Sequence, residues 1–158
     1  MRGECLDLGC GPYKAFPHFI GVDSGKDTQL FGIQMRPDVR ADVTSLSKFS
    51  SGHFDLVYSS HTLEHIEDYK ACLKEWWRLV KVGGHMVLYL PHRDFYPNCA
   101  KKDEWKAWYA EHGEEFPNVV AAVEAFADER RKAGETRVGL IYAGTPFANA
   151  DHKHDFVA

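Results

Sequence analysis

The chain has 158 residues, 44% of them hydrophobic, which suits one globular domain and excludes wholesale disorder. Nineteen Lys+Arg against 23 Asp+Glu leave a formal charge of −4, which disfavours a sequence-independent nucleic-acid groove. No apolar run approaches the ~20 residues that cross a bilayer, and Met1-Arg2-Gly3-Glu4 begins no signal peptide, so the expectation is a cytoplasmic chain without a membrane span.

Glu4–Leu8 is a short apolar stretch that stops at Gly9-Cys10-Gly11-Pro12, the pattern of a strand ending in a tight loop. Phe19-Ile20-Gly21-Val22 predicts a second strand, closed by Asp23-Ser24-Gly25. Asp38–Ala41 predicts a weak third strand followed by Asp42, and Phe54–Ser59 a fourth after the turn Ser51-Gly52-His53. Asp68–Val82 predicts a helix with Asp68 as N-cap, because Tyr69, Cys72, Leu73, Trp76 and Val80 recur on one helical face. Lys81 falls in its last turn, and Gly83-Gly84 offers a left-handed exit. His85–Leu90 predicts a fifth strand, stopped by Pro91.

Beyond it, Asp103–His112 and Asn118–Lys132 read as two helices, with Gly113 and Pro117 in the break. Trp105, Trp108 and Tyr109 form one stripe and Val119, Val123 and Phe126 another, which serve either as the core of a helical hairpin or as a lid. Val138–Tyr142 is one more short apolar run, before a loop over Ala143–Phe156. With no repeat or linker, the expected organisation is one domain over residues 1–158: a core at 1–92, then a helical insertion and loop at 93–158 on the substrate side.

Strands joined by short crossovers imply an α/β fold, a mostly parallel sheet of about five strands flanked by helices. Ligands of such sheets sit at the carboxyl ends of the strands, which here carry Gly9–Gly11, Asp23, Asp42, Ser59–His65 and Pro91-His92. A dinucleotide fingerprint needs a third glycine opening a helix, yet Lys14 stands at that position and Pro17 where the helix should run. Asp7 also sets a carboxylate beside any phosphate. Three carboxylates near strand ends, Asp7, Asp23 and Asp42, suit instead a phosphate-free nucleoside with an ammonium, ribose hydroxyls and an exocyclic amine; taken singly, each also reads as a turn or cap residue.

Leu6-Asp7-Leu8-Gly9-Cys10-Gly11, Gly21-Val22-Asp23, Ala41-Asp42-Val43, Phe54-Asp55-Leu56-Val57, Leu63-Glu64-His65 and Arg78-Leu79-Val80-Lys81-Val82-Gly83-Gly84 occur in that order over about residues 4–92. In this series the chain resembles the class I S-adenosylmethionine-dependent methyltransferases, particularly the small-molecule branch. The resemblance implies a Rossmann-like fold and S-adenosyl-L-methionine as cofactor. Gly9 and Gly11 then admit the methionine moiety, with Asp7 on or near its amino group. Asp23 accepts the ribose hydroxyls, Asp42 with Val43 lies by the adenine, and Ser59 lines the pocket beside the transferable methyl. Two features depart from the family: a dozen residues between Gly11 and Asp23 leave the first crossover helix reduced or absent, and Lys14 is unusual beside a sulfonium. The family's last two strands of seven, an antiparallel hairpin, find no counterpart after the insertion.

Methyl transfer needs a general base only for a hydroxyl or protonated amine. The candidates are His61 and His65, which are four apart and would share one face on a helical turn, and His92 after the fifth strand. Each also reads as a turn or helix-start residue. Ser59-Ser60-His61 replaces the Asn/Asp-Pro-Pro-aromatic motif of nucleic-acid amino-methyltransferases, which argues against DNA or RNA as acceptor. Asp151-His152-Lys153-His154-Asp155 has His-x-His spacing but no adjacent Cys or third His, so a substrate-side loop or a surface turn is preferred to a metal site. The four cysteines, Cys5, Cys10, Cys72 and Cys99, contain no C-x-x-C pair and suit a reduced compartment.

The expected function is methyl transfer to a small molecule: a sugar, a lipid-linked acceptor or a secondary metabolite. The alternative is a non-catalytic or truncated remnant of the fold, acting as a cofactor-binding or structural module. In that reading the fifth strand is an apolar edge open to a second copy or another partner. A nicotinamide-dependent oxidoreductase is the third and weakest reading, because Asp7 and Lys14 disfavour the dinucleotide.

Overall fold

The computed structural model describes residues 3–26, 29–30, 33–90 and 119–135. Along the chain run β1 (Cys5–Leu8), β2 (Ile20–Asp23), the two-residue strands β3 (Gln29–Leu30) and β4 (Ile33–Gln34), β5 (Val39–Arg40) and β6 (Phe54–Ser60). A short 3-10 turn (Leu63–His65), helix α1 (Tyr69–Leu79), β7 (Val80–Tyr89) and helix α2 (Val119–Lys132) follow.

Five strands form one sheet in the order β5-β2-β1-β6-β7, with every neighbouring pair parallel. These are the five strands expected from the apolar runs, and the architecture is the Rossmann-like one. Strands β3 and β4 pair separately as an antiparallel ribbon between β2 and β5. Among the described residues, neither the β1–β2 nor the β2–β5 connection carries a helix, so the first crossover helix is absent.

The core lies between the sheet and α1. Leu6, Leu8, Val22 and Val57 from the strands are fully buried, as are Leu73, Trp76 and Leu79 of α1 or nearly so. Asp68 caps the helix as expected, its side chain accepting from the Ala71 amide at 2.9 Å. Trp76 is fixed by its indole N–H, which donates to the Val43 carbonyl at 2.8 Å. A buried indole without that acceptor would lose its hydrogen bond to water, so this contact locks α1 to the segment after β5.

The predicted C-terminus of this helix is corrected. The helix ends at Leu79 rather than Val82, and Lys81, Gly83 and Gly84 belong to β7. The reason is long-range: the Gly52 and His53 amides donate to the Arg78 and Leu79 carbonyls at 2.8 and 3.0 Å, satisfying the last helical acceptors from outside. Val80 already pairs with Phe54, and the next partners are Leu56 and His85, so the register slips across the two glycines. Gly83 takes a left-handed φ of 82° within this irregularity.

The chain divides into two compact units, Met1–Leu90 and Pro91–Ala158. In the second, α2 covers most of the predicted helix Asn118–Lys132; its Phe126 and Ala127 are buried, and the Arg130 guanidinium lies 5.2 Å above the Phe126 ring. The predicted helix Asp103–His112, strand Val138–Tyr142, the Asp151–Asp155 segment and His92 lie outside the described residues. Among the described residues, no helix is long and apolar enough to cross a membrane.

Candidate functional site

The chain leaves β1 toward β2 and β5 on one side, then returns to build β6 and β7 on the other. The carboxyl ends of β1 and β6 therefore flank the switch point, where open parallel sheets form a crevice.

The loop leaving β1 is shaped for close approach. Gly9 and Gly11 both have left-handed backbones, at φ 72° and 58°. The Gly9 and Cys10 amides donate to the Val22 carbonyl at 2.8 and 3.3 Å, which folds the loop across the end of β2. A β-carbon built on Gly9 falls within 2.8 Å of three Thr62 side-chain atoms, so the two loops touch through a hydrogen. The Thr62 hydroxyl in turn lies 3.1 Å from the Ser60 carbonyl oxygen and 3.4 Å from that of Leu8.

Asp7 is buried at 3% exposure and accepts from the Ala15 amide at 2.6 Å. Burial raises its carboxyl above the ordinary aspartate value, opposed by the Ala15 hydrogen bond and the Lys14 charge. Asp23 stands at the end of β2 with one oxygen accepting from the Gly11 amide at 3.2 Å and the other from Gly25 at 2.9 Å. Its carboxylate thus ties the glycine loop to its own strand end. Asp42 closes an Asx turn, its Oδ1 accepting from the Thr44 amide (3.0 Å) and hydroxyl (2.7 Å), and Lys26 lies 3.7 Å from Oδ2. The Thr44 hydroxyl, its amide and then Lys26 hold the Asp42 carboxyl below the usual range.

Val43 follows, its carbonyl occupied by Trp76. Ser59 is 1% exposed and donates to the Leu8 carbonyl at 2.8 Å, bolting β6 to β1 under the crevice. Lys14 lies across Gly21, where a β-carbon would stand 2.8 Å from its Cδ and 2.9 Å from Cys10 Sγ, and its ammonium pairs with Asp38 at 2.8 Å. That carboxylate also accepts from the Gly21 amide at 2.8 Å, and the two contacts hold its carboxyl low. The Lys14 charge is thereby committed to Asp38. The Cys10 thiol is pushed up to about 12 by burial and then by Asp7, Asp23 and Asp38, so it is an inert neutral thiol within an acidic surround.

On the β6 side, His61 Nδ1 stands 3.3 Å from Glu64 Oε1 and the ring packs on Tyr89 of β7. His65 Nε2 is 3.9 Å from the same oxygen, with a 61% exposed side chain. The structure thus groups Asp7, Gly9, Gly11, Asp23 and Ser59 about the ends of β1, β2 and β6, and brings His61 and His65 to one carboxylate. Thr62, Asp38, Glu64 and Tyr89 were not singled out from the sequence. Glu64 carried a signal, its i+3 spacing from His61; the others act through contacts between distant segments.

A family model described as a methyltransferase domain matches residues 6–88, more than half of the chain. Trans-aconitate 2-methyltransferase of Deinococcus radiodurans is 29% identical over 98 residues, 56% of this chain and 38% of that protein. Phosphoethanolamine N-methyltransferase 1 of Zea mays is 23% identical over 151 residues, 85% of this chain and 28% of that protein. The chain therefore spans well under half the length of either relative. An S-adenosylmethionine-dependent methyltransferase of Thermotoga maritima has a similar fold: TM-score 0.56, 20% identity, 85% of this chain and 64% of that one.

Proposed function

Since the chain belongs to the S-adenosylmethionine-dependent methyltransferases through their methyltransferase domain, we propose that it transfers the cofactor's methyl group to a small-molecule acceptor. The single observation that carries the site is the coupling of the left-handed Gly9–Gly11 loop to Asp23 at the switch point. The donor chemistry fits this cofactor. In this reading Asp7, Asp23 and Asp42 offer carboxylates to an ammonium, ribose hydroxyls and an adenine amine, and the Lys14 ammonium is neutralised by Asp38. S-adenosylmethionine supplies an electrophilic methyl on a positively charged sulfur.

The chain's own residues hold, orient and shield. Gly9 brings the backbone to the crevice, Asp23 keeps its carboxylate oriented through the Gly11 and Gly25 amides, and Ser59 keeps β1 and β6 in register beneath it. Orientation is the main demand on the protein, because the cofactor's methyl is already activated and an acceptor with a free lone pair need only be held about 3–3.5 Å from it. His61, His65 and His92 are the candidates for accepting a proton from a hydroxyl or ammonium acceptor. The acceptors named in the two relatives, trans-aconitate and phosphoethanolamine, are small molecules and support that class.

Titration calorimetry with S-adenosylhomocysteine tests the reading: one site per chain is expected, and no heat of binding overturns it. Binding without transfer to any acceptor in a panel of small carboxylates and amines would favour the binding-module alternative.

A further inference from the structure

At the end of β6 the backbone turns through His61, the one non-glycine among the described residues in the left-handed region, at φ 51°. That conformation costs a residue with a β-carbon about 1 kcal/mol or more, and such outliers gather at functional sites. Here it is held on three sides. The His61 amide donates to the Tyr89 carbonyl at 3.0 Å, the imidazole packs on the Tyr89 ring at 4.8 Å, and Nδ1 faces Glu64 Oε1 at 3.3 Å. Glu64 is itself sunk into the fold: its side chain is 13% exposed, and Oε2 is buried with no hydrogen-bond partner among the described residues. A carboxylate in that setting gains from any positive charge formed beside it, because the low local dielectric strengthens the attraction and no donor among the described residues reaches its second oxygen. Of the two histidines near it, His61 is the more buried, at 33% against 61% for His65, and the nearer.

We propose that Glu64 is a positioning residue: it holds the His61 imidazole through Nδ1 and makes Nε2 the nitrogen that takes the acceptor's proton. This rests on the methyltransferase reading above. A carboxylate on one ring nitrogen fixes the proton there in the neutral ring and steadies the imidazolium when the other nitrogen is protonated. During transfer the acceptor bonds to the methyl carbon as the carbon–sulfur bond breaks with its electron pair on sulfur, and the acceptor's proton passes to Nε2. The positive charge that leaves the sulfonium reappears on His61, opposite Glu64. The 3.3 Å separation is long for a hydrogen bond, as catalytic pairs commonly are before the reacting complex forms.

The test is the neutral tautomer of His61, read from nitrogen-15 chemical shifts of the whole chain at alkaline pH, beside calorimetry with S-adenosylhomocysteine. The wild-type ring is expected to carry its proton on Nδ1. Glu64→Gln is expected to move most of the population to the Nε2–H form while changing S-adenosylhomocysteine affinity by less than about threefold. A wild-type proton on Nε2, or an unchanged tautomer in Glu64→Gln, overturns the assignment of Glu64. Should the variant not fold, the wild-type spectrum alone decides between these outcomes. A wild-type chain with Nδ1–H that binds no S-adenosylhomocysteine overturns the methyl transfer instead, and with it the proton-accepting role.

Discussion

Two glycines with the same left-handed backbone separate conformational cost from packing cost. Gly52 has φ 64° and open space where a β-carbon would go, whereas Gly9 has φ 72° and the Thr62 side chain in that space. Gly52→Ala should cost about 1–2 kcal/mol, the left-handed penalty alone. Gly9→Ala adds a collision at the joint between two loops and should cost at least about 2 kcal/mol more, read as the difference in urea midpoint. Equal losses would mean that Thr62 swings away freely. Asp7 makes a second case. Its folded-state carboxyl is raised by burial, so the native chain binds more protons than the unfolded one between the ordinary aspartate value and the raised one. Stability from this group is complete below that window, is lost as pH rises through it, and stays lost at neutral pH. Asp7→Asn keeps an oxygen for the Ala15 amide and removes the buried charge. At pH 7 it should melt higher than wild type, an advantage that disappears below about pH 4, while S-adenosylhomocysteine binding weakens about tenfold. A lower melting temperature at pH 7 would count against a burial penalty. The glycine loop and the strand-end carboxylates were legible because a strand must stop before a sheet can open a crevice, and Gly-x-Gly and Asp are what stop it. Thr62 was not, since its contact with Gly9 depends on β1 and β6 lying side by side, which no local pattern records; for Glu64 the only local record was its i+3 spacing from His61.

At the level of elements, Arg78 gathers several of the contacts that join α1 to the segment before β6. Arg78 donates to both oxygens of Glu75 at 2.8 Å, to the Phe49 carbonyl at 3.0 Å and to the Leu46 carbonyl at 3.2 Å, and Glu75 accepts from the Leu46 amide at 3.0 Å. The Arg78 hydrogen bond holds the Glu75 carboxyl below its usual range. With the folded-state value depressed, this stability is present above the ordinary glutamate value and lost as pH falls through the depressed one. A lysine can place a point charge near Glu75 but cannot fork to two backbone carbonyls. Arg78→Lys should therefore cost about 1–3 kcal/mol at pH 7, with a smaller difference from wild type in acid, measured as thermal melting across pH 3–7. A melting temperature unchanged at pH 7 would show the carbonyl contacts to be worth nothing net. The helix itself was readable from the period of Cys72, Leu73 and Trp76, because burial against a sheet imposes that period. Its end was misread because Gly83-Gly84 imitates a helix exit, while the true stop comes from the Gly52 and His53 amides. Strands β3 and β4, two residues each, are too short to carry an alternation at all.

At the scale of the whole molecule, all five strands of the sheet and all the candidate cofactor residues fall within the compact unit Met1–Leu90. Among the described residues, that unit buries Trp76, Phe54 and Leu79 at 1% exposure or less, together with Leu6, Leu8, Val22 and Val57. A unit of this size sits near the lower limit at which one hydrophobic core sustains a fold without staples, so ligand binding should contribute visibly to its stability. Residues 1–90 expressed alone are expected to unfold cooperatively and to bind S-adenosylhomocysteine within about tenfold of the full chain. Saturation at 100 times the dissociation constant should stabilise the fragment by about 2.7 kcal/mol through mass action. Cooperative unfolding without binding would place an indispensable cofactor contact in Pro91–Ala158. Failure to fold would mean that the sheet borrows its stability from that second unit. Either result would count against the expectation that residues 91–158 serve the substrate side alone.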